Sequence, residues 1–416
     1  MEQVIFGGHI ASLDVTNTKY NNLISHTDYY TNWTATIFLA EVIVSTGGKI
    51  KNLRVKLDDS PGADTHYDFT LMVNGAPSAL TLEIADAATS GADTTHEVDV
   101  VAGDTICLRC EPTDTPTARK AFWTSMFEGA TAKESLILGS SCIVVTSKTD
   151  IIYGGVNGGA IGAGTLENDA RQVCPTSGKI KNLYVELELD PGTSPDRYRF
   201  TLRKNGADTD LEVLITANAT TGHDTVDEIA VVAGDVLTLK IAPENTPEVS
   251  THFHIGMTFV ADIDGESIIP AGSTRDLHNT DTKYNNIVTV WGDSWFATES
   301  VRYMLGQSCI LKKLYVLLSA APGDGKSYTF TLRKPGNGQA DGNVTVQIAD
   351  TDTTGNSGAL EDAIADDDYV DLECTPAGTP TVRDAYWGLV SYRAPPVGLE
   401  NKSANMGSKM VAAGLI

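Results

Sequence analysis

Apolar and polar residues alternate through the stretch Gly48 to Leu57, where Leu53, Val55 and Leu57 are separated by Arg54 and Lys56. A period of two predicts a β-strand with one buried face. Pro61-Gly62 follows and predicts a turn, because proline fixes φ and glycine accepts a positive φ. The pattern returns at Gly178 to Leu187 with Pro191-Gly192, and in altered form at Ile310 to Leu318 with Pro322-Gly323. Leu53, Leu183 and Leu314 thus hold equivalent places about 130 residues apart, and one unit is written three times.

The rest of each unit follows the same period. Tyr67, Phe69 and Leu71 are matched by Tyr198, Phe200 and Leu202, and by Tyr328, Phe330 and Leu332. Asn74-Gly75 and Asn205-Gly206 then predict tight hairpins, which the third copy replaces with a longer loop, Pro335-Gly336-Asn337-Gly338. Leu80, Leu82 and Ile84 form a third strand, matched by Val344, Val346 and Ile348. A turn at Ala102-Gly103-Asp104 recurs as Ala233-Gly234-Asp235 and becomes Asp366-Asp367-Asp368 in the third unit. Thr-Pro pairs at 115, 246 and 379 lead into a last strand holding Phe122-Trp123, Phe253-His254 and Tyr386-Trp387.

No part of this core has sustained helical spacing. Roughly eight short strands per unit predict an all-β chain of three tandem antiparallel β-sandwiches of jelly-roll type. The expected boundaries are 1–132, 133–263 and 264–394, followed by a C-terminal arm over 395–416 that orders on a neighbour. The opening segments differ. Units one and three share Lys19-Tyr20-Asn21-Asn22 and Lys283-Tyr284-Asn285-Asn286, whereas unit two carries a glycine-rich stretch from Gly154.

Charge narrows the partners. A formal net charge of −24 over 416 residues argues against nucleic acid and against an anionic membrane. The first residues lack a basic segment followed by a long apolar one, so no signal peptide is expected.

Candidate chemistry is sparse. Cys107 and Cys110 have C-x-x-C spacing, but Cys110 aligns with Ile241 and Cys374, which reads as a core position rather than a metal or redox site. Asp350 to Gly355 with Glu361 resembles a calcium loop, weakened by Thr354 at a ligand position. His252 and His254 could be half of a metal site; aligned with Ala121 and Trp123, they read instead as structural. Trp33, Trp123, Trp295 and Trp387 could stack on sugars, but recurrence at matched positions is also what a core requires. No nucleophile motif or phosphate loop is present, so no catalytic, cofactor or metal residue is assigned.

The string G-K-I-K-N-L-x-V, P-G, Y-x-F-T-L-R-K-N-G, V-x-A-G-D and T-P, best seen from Gly178 to Pro247, resembles repeats in virion proteins of tailed bacteriophages. Its general look is also similar to the C1q and tumour-necrosis-factor type of jelly roll. The resemblance implies a non-enzymatic virion structural protein: a capsid decoration, head-fibre or tail-associated protein found in the virion. Its partners would be other virion proteins, with homo-oligomers. The alternative is a glycan-binding adhesin or receptor-binding protein acting on a host surface glycan.

Overall fold

The computed structural model describes residues 1–24, 33–141, 145–159, 161, 163–289, 294–335 and 341–395. The arm expected over 395–416 lies outside them except for its first residue, as do Cys142 and most of the loop after Pro335.

Unit one comprises β1 (Glu2–His9), β2 (Lys19–Asn21), β3 (Val42–Ile43), β4 (Gly48–Leu57), β5 (Gly62–Val73), β6 (Ala76–Asp86), β7 (Ser90–Val100), β8 (Thr105–Thr113) and β9 (Ala121–Gly129). Unit two comprises β10 (Glu134–Ser140), β11 (Ile152–Gly154), β12 (Ala163–Gly164), β13 (Gln172–Val173), β14 (Gly178–Leu187), β15 (Arg197–Lys204), β16 (Ala207–Thr216), β17 (Thr221–Val231), β18 (Val236–Glu244) and β19 (Phe253–Ala261). Unit three comprises β20 (Glu266–Ser273), β21 (Lys283–Asn285), β22 (Met304–Leu305), β23 (Cys309–Leu318), β24 (Gly323–Arg333), β25 (Asp341–Asp350), β26 (Thr354–Asn356), β27 (Glu361–Ile364), β28 (Tyr369–Ala377) and β29 (Ala385–Tyr392). The only helical elements among the described residues are short 3₁₀ turns at Ile37–Ala40, Glu167–Ala170 and Glu299–Val301, so none is long and apolar enough to cross a membrane.

In unit one the sheets run β1-β9-β4-β7 and β2-β8-β5-β6, with β3 also on β8. First strand beside last, and second beside eighth, is the interleaved order of a jelly roll. Unit two repeats it as β10-β19-β14-β17 and β11-β18-β15-β16. Unit three repeats it as β20-β29-β23-β26 and β21-β28-β24-β25, with β22 also on β28 and joining that sheet to β1 of unit one. The turn chemistry sets these registers. Gly62, Gly192 and Gly323 take φ of 113°, 117° and 107° after their prolines, and Asn74-Gly75 and Asn205-Gly206 take the paired positive φ of a two-residue hairpin.

Leu53, Val55 and Leu57, with their copies, face the sandwich interiors and are buried, each such side chain contributing about 1.5–3 kcal/mol. A different pattern marks the first and last strands. In β10 and β20 every residue is buried, and β1, β9, β19 and β29 are less than fully buried only near one end. One face of each lies in its own sandwich; the other is covered by a neighbouring unit. The cores are therefore not wholly separate: one apolar cluster runs through units one and three and takes in Leu136 and Leu138, while a second fills unit two.

Candidate functional site

The three units meet at three joints in cyclic order, one to two, two to three and three back to one. Each joint uses the same positions. The carbonyl oxygen of Ile43 presses on Gly256 so closely that a Cβ there would lie 2.1 Å away, and the Val173 carbonyl does the same to Gly388 at 2.2 Å. At the third joint Thr124 stands in the equivalent place, donating to the Ile5 carbonyl at 2.9 Å and accepting from Gln307 Nε2 at 3.4 Å. That joint is also closed by backbone pairing between β1 and β22, Gly7 opposite Leu305.

An ion pair to a buried or half-buried glutamate recurs beside each joint. Glu2, Glu134 and Glu266 open the first strand of their units and pair with Lys51 at 2.8 Å, Lys181 at 2.7 Å and Lys312 at 3.0 Å. The preceding unit adds a partner across the joint: Thr46 donates to Glu134 at 2.5 Å and Thr176 to Glu266 at 2.9 Å, while Arg393 pairs with Glu2 at 2.9 Å. Burial opposes the charge on Glu266, but Lys313, Lys312 and Thr176 outweigh it and hold its pKa below the usual value. The residue after each of these lysines, Asn52, Asn182 or Lys313, sits at a β-bulge with φ of 53°, 55° and 53°. The bulge turns it to the joint, where Gln307 Nε2 donates to the Asn52 carbonyl at 2.8 Å and Lys313 Nζ donates to Thr176 Oγ1 at 3.0 Å.

The positions at which the copies disagree face one another here. At the third joint Arg54 holds Asp366 at 2.7 Å and Asp367 at 2.9 Å, and Lys56 lies 4.3 Å over the Tyr369 ring. At the second joint the corresponding turn is Ala233-Gly234, and a Cβ on Gly234 would lie 2.8 Å from the Tyr315 hydroxyl. At the first joint the turn is Ala102-Gly103, facing Tyr184 and Glu186. A groove of about 680 Å³ remains there, lined by Glu41, Tyr184, Glu186 and His223 with the Asn74-Gly75 hairpin at its rim. Tyr184 and His223 stack with centroids 5.1 Å apart. Burial raises the pKa of both glutamates, and the charge of Glu41 raises that of Glu186 further. Glu41 also accepts a 2.8 Å hydrogen bond from the Thr105 hydroxyl. Such a groove suits a cationic or hydrogen-bond-donating group.

The residues singled out in sequence do not come together. Cys107 and Cys110 lie in different apolar clusters, three residues apart along β8 and so on opposite faces; burial pushes both thiols well up. The calcium-like loop is divided between strands: Asp350 ends β25 and caps the Gly325 amide at 2.7 Å, Asn356 pairs with Tyr315, and Glu361 pairs with Lys312. All four named tryptophans are buried. Trp33 packs on Trp123 at 5.3 Å and Trp295 on Trp387 at 5.6 Å, while the Trp123 and Trp387 indoles donate to the Leu23 and Ile287 carbonyls.

The alignment of the histidines is corrected. Strand pairing sets Val55, Val185 and Val316 opposite Trp123, Ile255 and Trp387, so Ile255 is the counterpart of the tryptophans. His254 corresponds to Phe122 and Tyr386, one residue along, and a shift of one places it on the other face. It points into the first joint against Phe38 at 4.1 Å, and burial lowers its pKa to about 3. The joints themselves had a sequence signal: Arg54 and Lys56 are basic where the facing Asp366 and Asp367 are acidic, and neither change occurs in the other copies. No protein-family model and no curated protein matches this chain.

Proposed function

We propose that the chain is a non-enzymatic structural protein of a tailed-phage particle, a capsid decoration, head-fibre or tail-associated protein that attaches as one rigid ring of jelly rolls. The supporting observation is the burial of first and last strands on both faces, which ties three sandwiches into a single body. A rigid body loses little conformational entropy on docking, and several contact faces on one chain add avidity to weak individual contacts. The ring is complete within one chain, so further copies would associate through its outer sheets. The groove at the first joint, left open where the third is filled by Arg54 and Asp366, is the candidate contact for a basic side chain of a neighbouring virion protein. The alternative, a glycan-binding adhesin, loses its stacking platforms, because the recurring tryptophans are buried.

Cryo-electron microscopy of the assembled particle tests the proposal. The expected result is density for a three-lobed body on the capsid or tail. Particles without such density, or a glycan array that captures the protein through a defined sugar, would overturn it.

A further inference from the structure

On the outer sheet of unit one, β5 and β6 bring His66, Asp68 and Glu83 together. His66 Nε2 lies 3.4 Å from Asp68 Oδ2 and 3.7 Å from Glu83 Oε2, and one ligand atom from each falls within 4.8 Å of the others. The geometry follows from the strands. His66 and Asp68 are two residues apart and share a face, and Glu83 is directly opposite Asp68 across the pair. A second acid, Glu111, flanks Asp68 from β8, but Arg109 engages it at 3.3 Å.

The other units resolve the same three positions differently. Unit two has Arg197, Arg199 and Leu214 there; both arginines pair with Glu244, at 2.5 and 2.7 Å, and Arg199 also pairs with Glu212. Unit three has Ser327, Thr329 and Gln347, uncharged and joined by hydrogen bonds of 3.4 Å. Two of the three outer sheets thus satisfy this place with their own side chains. In unit one two carboxylates converge on one imidazole.

We propose that His66, Asp68 and Glu83 form a binding site for one divalent transition-metal ion of the zinc type. One imidazole nitrogen and two carboxylate oxygens are the donor set that Zn²⁺ accepts, with water completing a tetrahedral shell. The nitrogen ligand and the small ligand count favour such an ion over Ca²⁺, which needs six or more oxygens. The site is on the outward sheet, away from the three joints, and would serve to attach or brace a neighbour there.

Isothermal titration of the full chain with ZnCl₂, with CaCl₂ as a parallel control, tests the site. The expected result is one saturable Zn²⁺ site per chain, not competed by Ca²⁺. His66→Ala should weaken it by about 10-fold or more, since one of three protein ligands is lost. Asp68→Asn is the second variant and should weaken it too, with thermal melts of both proteins confirming the fold. Absence of saturable Zn²⁺ binding, or binding that persists unchanged in both variants, would overturn the proposal.

Discussion

Gly256→Ala is the smallest substitution that probes a joint. The added methyl would sit 2.1 Å from the Ile43 carbonyl oxygen and 3.1 Å from its carbon. Real carbon–oxygen contacts rarely fall below 3.0 Å, so the β3 backbone must retreat by roughly 1 Å. That backbone is pinned on its other side, where Val42 and Ile43 pair with Ile106 and Thr105 of β8. A clash that cannot be relieved by side-chain rotation costs about 1–3 kcal/mol. Urea denaturation should register that loss, and hydrogen exchange should quicken in peptides covering 41–46 and 253–258. Gly75→Ala is the control: no atom of the described residues lies within 4 Å of its Cβ, so only the backbone cost of its φ of 73°, about 1 kcal/mol, should appear, with no change in exchange at the joint. A Gly256→Ala protein within about 0.5 kcal/mol of the parent, with unaltered exchange at 41–46, would refute the packing of unit one on unit two.

Two further outcomes follow from the same contacts, and a third from a buried carboxyl on β28. Asp366→Lys with Asp367→Lys should destabilise the third joint, and Arg54→Asp should restore part of the loss; the double-mutant coupling should be about 1 kcal/mol, because the aspartates are partly exposed, and zero coupling would remove the ion pair from the account. Glu266→Gln should cost roughly 3 kcal/mol at neutral pH by leaving Lys312 and Lys313 without their buried acid. Since the folded pKa of Glu266 lies below its unfolded value, its contribution is full above the unfolded pKa and is lost as pH falls through the folded one, so the variant should show a shallower acid limb; an unchanged limb would contradict this. Asp371 has the opposite sign: burial pushes its carboxyl well above the ordinary range and, among the described residues, neither oxygen has a hydrogen-bond partner, so stability falls as pH rises past the unfolded pKa. Asp371→Asn should raise stability at pH 7, and a less stable variant in chemical denaturation would contradict that reading.

The strands and turns were legible because each depends on a few adjacent residues. Leu53, Val55 and Leu57, the Pro-Gly turns and the Asn-Gly hairpins all lie where period and turn chemistry place them. The joints were harder to read, since they depend on pairs far apart in sequence. The continuous apolar runs Val4-Ile5-Phe6 and Leu136-Ile137-Leu138 did carry a signal, because a strand buried on both faces loses its alternation. The bulge was concealed by Lys313, which occupies a positive-φ position where the other copies have asparagine. The histidine register failed for a related reason. Unit two lacks the tryptophan of its siblings, and aligning on an aromatic pair slipped the strand by one residue, enough to exchange its faces. His66, Asp68 and Glu83 converge only through strand pairing, which no local spacing announces.

The proposed ring of three jelly rolls closes within one chain. Small-angle X-ray scattering of the purified chain tests it most directly. A compact body of this length should have a radius of gyration of about 22–25 Å. Three sandwiches strung in a line, each spaced by a domain diameter, would give more than about 30 Å. A value in the lower range with a single-peaked distance distribution is the predicted result; a value in the upper range with an extended tail would contradict the closed ring.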